Sequence, residues 1–422
     1  MSELHLAARA GSTERTIAVL SRGVTDIDQG TSPDGVTPLM VAASLGYSRI
    51  VGILLNKGAT VAIMNGDGFT ALHCSAQQGH LTVTNLLVKA GADLEAATYT
   101  LGCTPLHLAA EQGHAEMMGV LIEAGTNPNI QRLDGGTPLH AAAQAGHMYA
   151  TKVLLRAKAN PLLTFSSPCG AGFVPLDIAA ENGQLKVVDE LIQELGMEGC
   201  GGVSGGVNAL AGAAKNQHVE IMGMLTSAGV VDTGVALTTA ARSGRESSVK
   251  FLLLQWERKT SGQGTDYLEY RDPSSMTALL WSVHQACLSC SPRITRLLVD
   301  AGANTTTTVR LADGEGRVFF DDTPLIFSAD LFRGKNVDGK DATEKEIHNL
   351  KATRRLLMRV EAIHAVSWLW ASDAPSVAHA ATEPKSKTKT TPTPLMLMLP
   401  VLRRRALRPR VLLAALFKWV AV

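Results

Sequence analysis

Apolar residues recur along this chain in short paired clusters, not in long runs. In the stretch from Asp134 to Ala159, Leu139, Ala142 and Ala143 are spaced three and four apart, which predicts a short helix with one apolar stripe. Asp134-Gly135-Gly136 ahead of it is turn chemistry, because glycine tolerates positive φ and aspartate bonds its own backbone. Thr137 then stands at a helix N-cap and Pro138 at the first helical position. Gly146 stops the helix, and His147 to Leu155 predicts a second one with Val153, Leu154 and Leu155 as its apolar face. The unit is therefore turn, helix, glycine stop, helix. One such unit has nothing to bury its apolar face against.

The unit recurs. Segments starting at Gly35, Gly68, Gly102 and Gly135 share the pattern, and their aligned threonines Thr37, Thr70, Thr104 and Thr137 lie 33, 34 and 33 residues apart. Ser2 to Gly11 matches the first half of the unit and reads as an N-terminal half-capping repeat. Val174 to Gly183 is a further match after a longer spacing of 37, with the extra residues around Ser166–Gly172 expected to form a loop. Asn208–Gly229 and Ala236–Leu254 are degenerate copies. A clearer one runs from Met276 to Asn304, and Thr323-Pro324-Leu325 opens a weak ninth. Gly199–Gly206 reads as a flexible break. Gln255–Asp272 reads as a polar insertion, and Thr305–Asp322 as an extended hairpin or loop. A phosphate-cradling role for the glycine-rich break finds no support, because no Lys-Ser/Thr follows and no apolar strand precedes it.

A period near 33 with T-P-L-H-x-A at its centre, as in Thr137-Pro138-Leu139-His140-Ala141-Ala142, resembles the ankyrin repeat. The resemblance spans about residues 1–330 and is strongest over 35–159. It implies an all-α repeat solenoid, a helix-turn-helix stack with β-hairpin loops. Such a stack offers a long concave surface and no enclosed pocket. The function it implies is a non-enzymatic protein-protein interaction scaffold that holds another protein by the hairpin tips and the exposed face of the first helices. On this chain those positions are Asp34; Asp67, Phe69, Gln77 and Gln78; Leu101, Glu111 and Gln112; and Arg132, Leu133 and Gln144. For each one taken singly, an ordinary solvated loop residue is the alternative. The histidines His73, His107 and His140 share one slot, and His80, His114 and His147 another. The resemblance implies hydrogen bonding within and between repeats for the first set. A zinc reading lacks a tight ligand cluster.

Composition changes this picture little. A formal net charge of +1 on 422 residues gives no bias toward nucleic acid. Met1 leads directly into repeat sequence, so no signal peptide is expected. With the six scattered cysteines taken as free thiols, a cytoplasmic location is expected, with the nucleus as alternative. His284, Cys287 and Cys290 form H-x-x-C-x-x-C, but no second ligand pair accompanies them, so packing and turn formation are expected there. No nucleophile elbow, phosphate loop, zinc-protease motif or dinucleotide fingerprint occurs, and a monomer that needs no cofactor and no metal is expected.

The character shifts after Asp330. Residues 331–370 are expected to form a helical cap, and 371–422 a disordered linker and a basic tail. Between Lys385 and Val422 there are nine Lys/Arg and no acid. Arg403, Arg404, Arg405, Arg408 and Arg410 are flanked by the apolar runs Leu395–Leu402 and Val411–Phe417, each far shorter than the ~20 residues of a membrane span. Three readings stay open: a solvated tail, a basic amphipathic element for an anionic membrane surface or a calmodulin-like groove, and a nuclear-import or nucleic-acid patch. The second makes a membrane-associated adaptor the rival to the scaffold.

Overall fold

The structure, a computed structural model, describes residues 2–23, 26–31, 33–166, 172–201, 205–260, 267–274, 276–288, 293–305, 309–312, 318–322, 352–353 and 356–357. They divide between two compact units, Met1–Ala236 and Leu237–Val422.

The first unit is a stack of helix pairs. The pairs are α1 (Glu3–Arg9) with α2 (Thr13–Ser21), α3 (Pro38–Ser44) with α4 (Ser48–Asn56), and α5 (Ala71–Gln78) with α6 (Leu81–Lys89). They continue as α7 (Pro105–Gln112) with α8 (Ala115–Glu123), α9 (Pro138–Ala145) with α10 (Met148–Arg156), α11 (Pro175–Glu181) with α12 (Leu185–Gly201), and α13 (Gly205–Asn216) with α14 (Val219–Ser227). Each first helix packs on the first helix of the next pair, and each second helix on the next second helix. The chain therefore builds one layer of each kind, and its core is the seam between them.

Local chemistry accounts for the boundaries. Thr37, Thr70, Thr104 and Thr137 are the N-caps, and proline follows at N1 in three of the four. Leu39, Leu72, Leu106 and Leu139 are at most 1% exposed, and the alanines behind them (Ala42 and Ala43, Ala76, Ala109 and Ala110, Ala142 and Ala143) are fully buried. Small side chains there let first helices approach closely. On α10 the buried residues are Ala150, Thr151, Leu154 and Leu155, while Val153 is only half-buried. Three consecutive residues span about 200° of a helix, so the predicted Val153–Leu155 face could not be wholly inward.

The expected loop near Ser166–Gly172 is a hairpin: β1 (Phe165–Ser166) pairs antiparallel with β2 (Gly172–Phe173). The expected break at Gly199–Gly206 falls where α12 ends and α13 begins. Helix continues to Gly201 and resumes at Gly205, and the non-helical residue lies earlier, at Gly196 (φ 65°, ψ 179°). Glycine alone takes that backbone at low cost, so α12 bends at Gly196 and not at the later glycines.

The second unit repeats the theme less regularly. α15 (Val235–Arg242) crosses the division between the units. α16 (Glu246–Thr260) follows, then α17 (Ala278–Leu288) and α18 (Arg293–Asp300). α16 runs six residues into the predicted insertion, where Trp256 stacks on Tyr267 at 5.8 Å. In the eighth repeat the Ser282 hydroxyl bonds the Leu279 carbonyl and Thr295, as Ser75 bonds Leu72 and Thr84 in the second. The predicted hairpin over Thr305–Asp322 is present as β3 (Val309–Ala312) paired antiparallel with β4 (Val318–Asp322). The ninth repeat, Cys290, most of 331–370 and all of 371–422 lie outside the described residues.

Candidate protein-binding face

Three sets of bonds position this face. The first holds each first helix to the next tip. The backbone N–H of Thr104 donates to Nδ1 of His107 at 3.3 Å, so that nitrogen is unprotonated and Nε2 carries the hydrogen. Nε2 then donates to the Gly136 carbonyl of the following tip at 3.1 Å. His73 reaches Cys103 (3.0 Å), His140 reaches Phe173 (3.0 Å) and His5 reaches Val36 (2.8 Å) in the same way. Burial pushes the imidazoles of His107 and His140 down to about 4 and lowers that of His73, so they stay neutral donors. This is the bonding within and between repeats that the resemblance implied.

A second set joins tip to tip. Gly66 donates to the Asp34 carbonyl (2.8 Å), Tyr99 to that of Asp67 (3.0 Å) and Leu133 to that of Leu101 (3.0 Å). Each tip is closed from within by one polar side chain: Thr31 on Val36, Asn65 on Phe69, Thr98 on Cys103 and Asp134 on Gly136. The third tip holds one residue more than its two flanking tips. Hence the single 34-residue spacing.

The third set ties helix ends together. His80, His114 and His147 donate Nε2–H to the carbonyls of Ser44, Gln77 and Glu111, and Gln184 reaches Gln144. These carbonyls sit at the C-terminal ends of first helices, where backbone acceptors lack helical partners. The same bonds fix the last turns that carry Gln77, Gln78, Glu111, Gln112 and Gln144, all of which are exposed.

The sequence-predicted residues thus fall into two groups. Asp34, Asp67, Gln77, Gln78, Leu101, Glu111, Gln112, Leu133 and Gln144 are exposed along tips and helix ends. Phe69 and Arg132 are half-buried and engaged. The Phe69 ring lies 5.6 Å from His73, and the Arg132 guanidinium bonds Asp134 at 2.9 Å with its side chain 18% exposed. Partial burial pushes the Asp134 carboxyl up, but the Gly136 N–H and Arg132 outweigh this and leave it below the usual carboxylate range. Tyr99, 63% exposed on the third tip, was missed by sequence reasoning. Its signal was the extra residue in that repeat.

One slot departs from the pattern. In α11 the histidine position holds Asp177, 2% exposed, and the cap position holds Val174, which has no side-chain oxygen to offer. Asp177 Oδ2 accepts the Val174 N–H at 3.0 Å, and Oδ1 has no hydrogen-bond partner among the described residues. Burial pushes this carboxyl up to about 7, and the N–H groups of Val174 and Ala209 offset only part of that rise.

Among the described residues no group of three or more His, Cys, Asp or Glu is placed to hold a metal ion, and no helix is long and apolar enough to cross a membrane. Cys74 and Cys103 are free thiols that burial pushes up, Cys74 to about 11.

The profile of the family described as "Ankyrin repeats (3 copies)" matches residues 4–98, 59–132 and 106–200. Among curated proteins, the chain is 34% identical over 93 residues to the B-cell lymphoma 3 protein homolog of Mus musculus, covering 22% of this chain and 20% of that one. It is 37% identical over 95 residues to ankyrin repeat domain-containing protein 63 of Homo sapiens, covering 22% and 25%. It is 36% identical over 97 residues to the E3 ubiquitin-protein ligase KEG of Arabidopsis thaliana, covering 22% of this chain and only 6% of that protein. The matches thus span a quarter or less of each relative's length. With the capped helix pairs, the histidine bonds between repeats and the profile match all on the same residues, residues 4–200 belong to the ankyrin repeat family.

Proposed function

We propose that the chain is a non-enzymatic scaffold that binds another protein across the tips and first-helix ends of its four regular repeats, residues 35–159. One observation carries the reading. Exposed side chains recur on tips and first-helix ends of four successive repeats, and hydrogen bonds between neighbouring repeats hold those tips and helix ends. Contact residues on a rigid frame lose less entropy on binding than residues on loose loops. The experiment is capture of a partner by the full chain, followed by joint replacement of Gln77, Gln78, Glu111, Gln112 and Gln144 with alanine. Binding is expected to weaken while the melting temperature stays nearly unchanged, because exposed substitutions move stability by about 0.5 kcal/mol or less each. Undiminished binding places the interface elsewhere. The same proposal takes the protein as a monomer in a compartment that keeps thiols reduced, cytoplasm or nucleus.

A second reading, a membrane-associated adaptor, is motivated by the nine basic residues between Lys385 and Val422. It expects salt-sensitive binding to acidic liposomes that disappears when 385–422 is deleted, since about 1 kcal/mol per basic residue is available near an anionic surface. Sedimentation with liposomes, with helical circular dichroism as the control for folding, decides it. Equal binding by the truncated chain ends the reading.

A further inference from the structure

The exposed apolar side chains of the described tips are not scattered. Tyr99 and Leu101 on the third tip and Leu133 on the fourth are 63%, 51% and 77% exposed, and the Leu133 N–H bonded to the Leu101 carbonyl puts the two tips side by side. Large apolar side chains held in water on a hydrogen-bonded frame mark a contact surface more often than chance packing does.

Charge on the same side is of one sign. Between residues 28 and 158 there are seven Lys/Arg. Six of them (Arg49, Lys57, Lys89, Lys152, Arg156 and Lys158) lie on second helices or the turns after them. The seventh, Arg132, is tied to Asp134. α3, α5, α7 and α9 carry no cation. Asp34 and Asp67 on the first two tips, and Glu111 at the end of α7, are exposed, and their carboxylates have no hydrogen bond or ion pair among the described residues.

Building on the binding face above, we propose that its partner is a peptide segment of basic and apolar character. Leucine-like or aromatic side chains pack against the ridge of Tyr99, Leu101 and Leu133, and lysine or arginine points toward Asp34 and Asp67. An acidic segment meets three unpaired carboxylates and finds no free cation on α3, α5, α7 or α9, the exposed Arg9 of the neighbouring α1 lying beyond the Asp34 tip's own repeat. A purely polar one leaves the ridge in water.

The test pans short random peptides displayed on phage over the full chain. Recovered sequences are then synthesised with a fluorophore and titrated by anisotropy. The expected peptides are net positive and carry at least one large apolar residue. Asp34→Lys with Asp67→Lys weakens them by about tenfold or more in low salt, and Leu101→Ser with Leu133→Ser does the same. Asp34→Asn with Asp67→Asn, which keeps side-chain shape, gives a smaller loss in the same direction, and Lys57→Glu on the second-helix side changes nothing. Neutral or acidic peptides, or basic ones indifferent to the aspartate changes, overturn the inference. If such peptides still lose binding with the leucine changes, the scaffold face stands and only its charge preference falls. If none is recovered, or none responds to any tip or helix-end substitution, both fall.

Discussion

His107 and His140 make the stack sensitive to acid. Their folded pKa values of about 4 lie below the ordinary value of 6.5. Between those values the unfolded chain binds more protons than the folded one. Stability from these groups is therefore fully present above pH 6.5 and is lost as pH falls toward 4, by at most roughly 3 kcal/mol each. Asp177 acts with the opposite sign. Its carboxyl, raised to about 7 from 3.8, favours the folded state at low pH and disfavours it as pH rises through 7. Melts of Asp177→Asn against the parent at pH 5 and pH 8 are expected to show a gain at pH 8 that shrinks at pH 5, because asparagine keeps the acceptor for Val174 and cannot ionise. Replacing His107 and His140 with alanine lowers stability at pH 7 and flattens the fall between pH 6.5 and 4. A pH slope unchanged in both sets of variants removes these residues from the titration.

At the scale of the element, the glycine that ends a first helix has two duties. Gly113 adopts φ 76°, and a Cβ there would meet His147 of the next repeat at 2.6 Å. The stop of one repeat is thus the seat for the histidine of another, and neither residue reveals this alone. Gly113→Ala is expected to cost about 2 kcal/mol, roughly half from the left-handed backbone and the rest from displacing the imidazole. In a His147→Ala background the steric part disappears, so the cycle should show a coupling of about 1 kcal/mol by urea denaturation. Additive losses would separate the two duties. Gln217 takes φ 65° at the same slot, so the sixth repeat tolerates the backbone strain that glycine avoids elsewhere.

For the whole molecule, a stack in which each repeat meets only its neighbours confines damage. Ala142 is fully buried between first helices, and Ala142→Arg would place an unpaired charge there. Hydrogen exchange is expected to rise in α7, α9 and α11 and to stay near the parent's in α17 and α18. Uniform loss of protection across the chain would count against local coupling.

Much of this order was legible in the chain itself. Turn, cap, stop and apolar phase are encoded within about thirty residues, so Thr137, Pro138, Leu139 and Gly146 announce their roles without the rest of the molecule. The eighth repeat was legible for the same reason, because Met276 to Asn304 keeps the spacing even where the consensus has drifted. What the sequence by itself determined, then, is the unit and its period. Bonds between units were decided only in the tertiary structure, because a residue such as His107 meets Gly136 across 29 positions, at a distance set by stacking and not by local propensity. The same holds for the face. Leu101 and Leu133 read as two separate turn residues until their tips hydrogen-bond, and Arg132, read as a partner contact, is drawn onto Asp134. The bend at Gly196 was also beyond sequence reading, since several neighbouring glycines share its freedom and nothing local to the sequence singles it out.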